Sequence, residues 1–488
     1  MSKPANKTSI LDNLTSIGIA LLVLTMSGCA SYQKNLPLPQ YQPDKGYRYQ
    51  VLEEESRENT DSLFVVVSFS GGGTRAAALS YGILEKLKNT PIEWKGVPKS
   101  LLDEVDIISS VSGGSFTSAY YGLNREAIFN GDYENNYLKK DIEHDLFMQL
   151  FNPINWFKLL SPDYGRSDLV NEYYQQHMFG QKTFADLQQN GKPFLMINGT
   201  DMTTGGQFPF IQDQFDLICS DLSSYPVSRA VATSSAFPGL LTPLTYNNYA
   251  GSCNYNEPTW VKNGALSGAF NPELVQFVDD QRSYYLTHPQ TGKRDYVHMM
   301  DGGVADNIGM RSLTFGLQNT GPSYSILRRI NNAEIEKLVV IVVNAATDPA
   351  NGLDKTASVP GLLTTVISSA TVPLDNYTFD TINRAEGAID LFKKDIARVE
   401  ACNRILKNKC PAVQPLPAPG GIDSYVSVVT FNSIGDPEER YWYKNLPTNF
   451  DLPAETVDKL MAKGKELLSK AEGYKQLLRD IGKGAGSN

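Results

Sequence analysis

Histidine is scarce in this chain, with four among 488 residues: His144, His177, His288 and His298. None follows Asp301, the aspartate best placed to act as a base. A hydrolase with the chain order Ser…Asp…His therefore has no histidine where it needs one. Cysteine is scarce too, five in all. No CxxC pair or Cys/His cluster has metal-ligand spacing, so no zinc or other metal is assigned. The net charge of −9 is spread out and no long basic run appears, which argues against nucleic acid as a partner. Neither G-x-G-x-x-G nor G-x-x-x-x-G-K-[ST] occurs at the glycine-rich stretch near residue 71, which weighs against dinucleotide or NTP binding. The apolar run Ile17 to Met26 is too short for a comfortable membrane span.

That short run has a different meaning. Lys3 and Lys7 precede it, and it ends at Met26-Ser27-Gly28-Cys29. A basic start, a short apolar core and small residues before a break describe a secretory signal. Small residues followed directly by cysteine resemble the bacterial lipobox, with Met26 where leucine is usual. The expectation is cleavage after residue 28 and lipidation of Cys29; a plain secretory signal is the alternative. Several acyl chains on one residue anchor stably where a single chain does not. Ala30 after the cysteine is similar to sorting signals for the outer membrane of diderm bacteria, so a lipid-anchored envelope protein is expected. The remaining cysteines are Cys219, Cys253, Cys402 and Cys410, an even count that suits disulfides in an exported chain. Sequence proximity favours Cys219–Cys253 and Cys402–Cys410 among three pairings, with free thiols as the alternative.

Residues 29–60 are polar, with Pro37, Pro39 and Pro43, and read as a tether. A catalytic body is expected over 61–475, and 476–488 as a tail. Within the body, Leu63 to Val67, Val105 to Val111, Phe194 to Asn198, Leu338 to Asn344 and Tyr425 to Phe431 read as strands. Ala76 to Lys88, Arg384 to Lys409 and Glu455 to Leu468 read as helices. Alternation of this kind implies an α/β fold, a mostly parallel sheet covered by helices. The stretch Asp145 to Leu160 is crowded with Leu146, Phe147, Met148, Phe151, Trp156 and Phe157. It reads either as core helices or as a flap over a greasy pocket or against a membrane.

Three elements carry chemistry. The strand ending at Phe69 runs into Ser70-Gly71-Gly72-Gly73-Thr74-Arg75 and then a helix. Consecutive glycines allow close backbone approach, and their N–H groups with the helix N-terminus form the layout of an oxyanion hole. Arg75 could hold this loop or a substrate anion. Next, Ser110-Val111-Ser112-Gly113-Gly114 follows an apolar strand and reads as a sharp turn into a helix with Ser112 at its tip. Ser110 stands where the G-x-S-x-G pattern has glycine, and Gly114 keeps the second glycine. Last, Asp301-Gly302-Gly303 closes the apolar run from Tyr296, which suits a buried base.

Taken together, Gly71-Gly72-Gly73-Thr74-Arg75, the Ser112 elbow and Asp301-Gly302-Gly303 resemble the three blocks of patatin-like phospholipases, in order. Asn198-Gly199-Thr200-Asp201 and Ser228 to Gly239 resemble supporting segments of that family, and Gly113-Gly114-Ser115 is similar to its cytosolic phospholipase branch. The resemblance runs from about Leu63 to the helix near Leu468. It implies a three-layer α/β/α fold and a Ser112–Asp301 dyad, with Gly71, Gly72 and Gly73 as oxyanion donors and Arg75, Gly114, Gly302 and Gly303 in support. The implied substrate is a phospholipid or lysophospholipid acyl ester, reached from the membrane through Cys29, with no cofactor. Acyl transfer through the same acyl-enzyme, or a lipoprotein with a dead site, are the alternatives.

The leader makes a direct prediction. Intact mass of protein extracted from membranes should show loss of residues 1–28 plus acyl mass on Cys29. A mature chain that starts elsewhere, with no acyl mass, would refute the lipobox reading.

Overall fold

The computed structural model describes residues 30–53, 59–267, 271–322, 325–348, 355, 357–416 and 422–484. Cys29 and the leader lie outside the described residues. The core is an eight-stranded sheet. Its strands are β1 (Leu63–Phe69), β2 (Val105–Val111), β3 (Phe194–Asp201), β4 (Gln207–Pro209), β5 (Leu244–Asn247), β6 (Tyr296–Asp301), β7 (Lys337–Asn344) and β8 (Asp423–Thr430). The order is β8-β7-β1-β2-β3-β6-β5, with β4 pairing β3. The first five strands in that order pair in parallel. β6, β5 and β4 join antiparallel at one edge. Every residue of β1, β2 and β3 is buried. Val, Ile, Leu and Phe dominate β1 and recur along β2 and β3, as a strand covered on both faces requires, while buried polar residues such as Asp106, Ser109 and Asn198 interrupt β2 and β3.

Helices follow the parallel strands. Gly73–Lys88 (α1) leaves β1, and Gly113–Asn124 (α2) leaves β2. Two short helices, Ile142–Gln149 (α3) and Pro153–Leu159 (α4), form a hairpin. Arg166–Tyr174 (α5) and Val227–Ser234 (α6) pack together. Their buried contact is an ion pair, with Arg229 Nη1 2.6 Å from Asp168 Oδ1. Leu362–Lys409 (α7) is a 48-residue helix, extending the expected Arg384–Lys409 segment toward the N-terminus. Ala454–Lys470 (α8) packs along α1, and Glu472–Gly484 (α9) closes the body. This is the three-layer α/β/α arrangement expected from the sequence, with a mixed rather than purely parallel sheet.

Three expectations need correction. The described part of the 29–60 tether is packed, not loose: Tyr47, Tyr49, Val51 and Leu52 are buried in the main core. Tyr47 stacks on Phe194 of β3 with ring centroids 4.8 Å apart, and Arg48 pairs with Asp216 at 3.0 Å. Proline content suggested a linker, but the aromatic side chains decide the outcome by burying large apolar surface. The tail expected from residue 476 belongs instead to α9, which buries Tyr474, Leu477 and Ile481. The pair Cys219–Cys253 is a disulfide, whereas Cys402 and Cys410 are free and exposed. Cys410 directly follows the helix that contains Cys402. Eight helical residues rise by about 12 Å, far beyond the ~6 Å between Cα atoms that a disulfide spans.

Candidate active site

Ser112 occupies the turn between β2 and α2 with φ 48° and ψ −119°. Positive φ is costly for a serine, and such strain persists only where surrounding contacts enforce it. The enforcing contact comes from α6. The Ser112 backbone N–H donates to Ser234 Oγ at 2.9 Å. The Ser234 hydroxyl donates onward to the Asn198 carbonyl at 2.7 Å, and Ser115 Oγ lies 3.0 Å away. One hydroxyl thus joins the nucleophile turn, β3 and α6. Beneath the turn, Ser110 is fully buried, its Oγ 2.6 Å from Ser118 Oγ. A small side chain there does fit in place of glycine.

Asp301 ends β6 beside this turn. Its backbone N–H donates to the Ala236 carbonyl at 3.0 Å, and that of Gly302 to the Ser234 carbonyl at 3.1 Å. Thr200 Oγ1 donates to the Asp301 carbonyl at 2.8 Å. A methyl placed on Gly302 would lie 2.1 Å from the Asn198 carbonyl oxygen, so only glycine allows this approach. The Asp301 carboxylate accepts from the Gly303 N–H at 2.7 Å and is hydrogen-bonded by the Ser112 hydroxyl. Burial raises its pKa from 3.8 to about 7, and those two hydrogen bonds offset part of the rise. The sequence motifs at 112 and 301, 189 positions apart, meet at one point.

The glycine loop closes over the same point. A methyl on Gly113 would sit 2.1 Å from the Gly73 carbonyl oxygen, so the two turns touch backbone to backbone. The Gly114 N–H donates to the Ser70 carbonyl at 3.2 Å. The expected oxyanion trio needs correction at its first member. The Gly71 N–H is already spent on the Asn307 carbonyl at 3.0 Å. Among the described residues, no acceptor takes the N–H of Gly72 or Gly73. Arg75 proves to be a loop holder. Its buried guanidinium donates to the carbonyls of Ala345 (2.8 Å), Leu446 (2.9 Å) and Pro447 (2.6 Å) and to Thr448 Oγ1 (2.9 Å).

The histidines are engaged elsewhere. His298 Nδ1 lies 3.1 Å from Thr245 Oγ1, His177 stacks on Tyr173, and His288 accepts from the Gln290 and Thr291 N–H groups. His144 starts the α3 hairpin, where its N–H donates to Asp141. Sequence reasoning missed the roles of Ser234 and Asn307. Ser234 falls inside the Ser228 to Gly239 segment and Asn307 lies just beyond Asp301-Gly302-Gly303, but nothing in one sequence says which hydroxyl or carbonyl faces the turn. Among the described residues, no group of histidine, cysteine and carboxylate side chains has the arrangement of a metal site.

The family profile described as "Patatin-like phospholipase" matches residues 67–314, just over half of the chain. The chain belongs to the patatin-like phospholipase family. Membership supports a lipid acyl hydrolase. Solved structures are similar to it only remotely. Human GIVD cytosolic phospholipase A2 is 14% identical, with 60% of this chain and 47% of that one covered and a TM-score of 0.33. The same human protein in complex with methyl gamma-linolenyl fluorophosphonate is 10% identical over 88% of this chain and 61% of that one, with a TM-score of 0.37. VipD from Legionella pneumophila is 11% identical over 91% of this chain and 73% of that one, with a TM-score of 0.24. The chain thus spans about half of the human protein's length. No curated protein sequence matches it.

Ser234 carries a prediction of its own. Ser234→Ala leaves the buried Ser112 N–H without its acceptor, at about 1–3 kcal/mol of stability. It should lower kcat about 10- to 100-fold with little change in KM, because it loosens the turn and not the substrate pocket. Ser234→Thr keeps a hydroxyl and should restore most of the loss. Equal kcat in wild type and Ser234→Ala would show that the turn does not depend on this bond.

Proposed function

We propose that the chain is a serine acyl hydrolase of the phospholipase A or lysophospholipase type, acting on lipid acyl esters through a Ser112–Asp301 dyad. The observation that carries the reading is the Asp301 carboxyl: fully buried, hydrogen-bonded by Ser112, and raised to about 7. An ordinary aspartate is too weak a base at neutral pH, whereas one near 7 is matched to the task.

In this scheme Ser112 Oγ attacks the ester carbonyl carbon as its proton passes to Asp301. The carbonyl oxygen gains negative charge and is held by the Gly72 and Gly73 N–H groups at the start of α1. The C–O bond to the alcohol portion then breaks, and the departing oxygen takes the proton from Asp301. Water attacks the resulting acyl-Ser112, giving a proton to Asp301. As the fatty acid leaves, that proton returns to Ser112 Oγ. With Gly71 committed to Asn307, the two following glycines carry the oxyanion. Lipid anchoring at Cys29 would hold this site at a membrane surface, in the outer membrane if the residue after the cysteine sorts as it does in similar lipoproteins.

The test combines activity, pH and stability. Ser112→Ala and Asp301→Asn should each lower kcat/KM on a phospholipid ester by about 10³-fold or more, and the double variant should be little worse than either. In the wild type, kcat/KM should rise as pH passes through about 7 and level off above, because only the carboxylate accepts the proton. The stability sign is opposite. The folded protein binds this proton more tightly than the unfolded chain, so Asp301 costs stability progressively as pH rises from about 4 to about 7. Asp301→Asn should therefore melt above the wild type at pH 8 while being inactive. A histidine variant as damaging as Asp301→Asn, or a rate independent of pH around 7, would contradict the dyad.

A further inference from the structure

The α3–α4 hairpin leaves its apolar side chains in the open. Phe147, Met148, Phe151, Ile154, Trp156 and Leu160 are between 50% and 65% exposed, six large apolar residues within fourteen positions. This decides between the two sequence readings: the segment is not a pair of core helices. The hairpin is nonetheless well formed. Asn152 caps α4 with Pro153 at its start, and Asn155 is buried with its Nδ2 donating to the Gln149 carbonyl at 2.9 Å. The Trp156 indole N–H donates to the Leu150 carbonyl, so the exposed ring has no polar group left to satisfy. Phe147 and Phe151 pack edge to face with centroids 5.2 Å apart, making one continuous surface. Flanking lysines are neutralised: Lys140 pairs with Asp145 at 2.8 Å and Lys158 with Glu172 at 2.6 Å. A cluster of exposed apolar side chains of this kind marks a partner or a membrane.

The start of the described chain indicates which. Ser161, directly after the hairpin, donates through Oγ to the Ala30 carbonyl at 2.6 Å, and the Tyr32 N–H donates to the Asp163 carbonyl at 2.8 Å. Asn35 then fastens the segment to Ser220 and Asn247, both at 2.9 Å. Ala30 directly follows Cys29 in sequence, and Cys29 itself lies outside the described residues. A short chain of contacts also links this segment to the Asp301 loop. Arg166, at the start of α5, reaches the Gly239 carbonyl at 3.4 Å. Gly239 belongs to the loop after Ala236, which holds Asp301, and Leu240 in that loop is 50% exposed.

We propose that the hairpin is a bilayer-docking surface which, added to an acyl anchor at Cys29, attaches the protein at two points and turns the Asp301 loop toward lipid. The proposal rests on the lipid hydrolase reading and on Cys29 lipidation. A second attachment point matters because it removes rotation about the first, so the site is held facing the bilayer rather than sweeping past it. Because the two flanking lysines are paired, insertion is driven by apolar burial and is insensitive to salt.

The experiment uses full-length lipidated protein carrying Ser112→Ala, reconstituted on vesicles of brominated phosphatidylcholine, with tryptophan fluorescence as readout. Quenching is expected at low and high salt alike, and adding Trp156→Phe should remove at least half of it. In parallel, Phe151→Ser with Ile154→Ser and Trp156→Ser in the otherwise native enzyme should lower activity on vesicles about 100-fold. Turnover of a short soluble ester should stay unchanged. Quenching that persists after Trp156→Phe, or none at all, overturns the proposal. So does an absence of quenching accompanied by a dimer in sedimentation, which would give the hairpin to a second copy of the chain. Since the quenching protein is inactive by construction, failure of the hydrolase reading leaves this result untouched.

Discussion

A carboxyl buried without a cation is the constraint on which this site depends. Elsewhere the chain buries carboxylates beside positive charge: Asp168 faces Arg229, and Asp201 faces Arg294 at 2.7 Å. Among the described residues, the Asp301 carboxylate takes hydrogen bonds from the Gly303 N–H and the Ser112 hydroxyl and has no ion-pair partner. Taking an unpaired carboxylate out of water is expensive, and the group responds by holding its proton to higher pH. A cation placed here would stabilise the fold and weaken the base. On the proposed dyad, the same burial that costs stability would supply basicity near neutral pH in place of a histidine.

Such a group works only if its partner is held still, and the chain does this with close backbone packing fastened by two side chains. Ser112 is kept in a strained turn by the Ser234 hydroxyl, which also ties down β3. The glycine loop meets the turn at a distance that admits no Cβ on Gly113, and Gly302 rests on the Asn198 carbonyl in the same way. Arg75 fixes the far side of the loop to four separate acceptors at the end of β7 and before α8. The Gly72 and Gly73 amides have no acceptor among the described residues and so remain available as the donors proposed above. Preorganised donors of this sort need no rearrangement when charge develops, which is where most of their value lies.

Much of this was legible in the sequence for a simple reason. β1, β2, β3 and β7 are buried on both faces, and burial on both faces writes a mostly apolar run, nearly continuous in β1 and β7. The chemistry-bearing residues were legible because turns that bring backbone close to backbone need glycine, and glycines in series stand out. What escaped depends on contacts distant in sequence. Gly71 looks equivalent to Gly72 and Gly73 until the Asn307 carbonyl, over two hundred residues later, takes its N–H. The stretch from Ala30 to Glu53 has a linker's composition, yet Tyr47 and Tyr49 insert into the core against Phe194. Cys402 and Cys410 are neighbours in sequence, but the helix between them turns proximity into separation. The exposed hairpin was ambiguous because apolar content alone does not say which side of a helix meets solvent.

The central claim is that Ser112 is made nucleophilic by a buried aspartate poised near neutral pH. Its most direct test is the rate of covalent labelling by a fluorophosphonate, followed by peptide mass spectrometry across a pH series. The account predicts a single adduct on Ser112, a labelling rate that rises with a midpoint near pH 7, and almost no labelling of Asp301→Asn at any pH. An adduct on a different residue, or Asp301→Asn labelled at the wild-type rate, would contradict it.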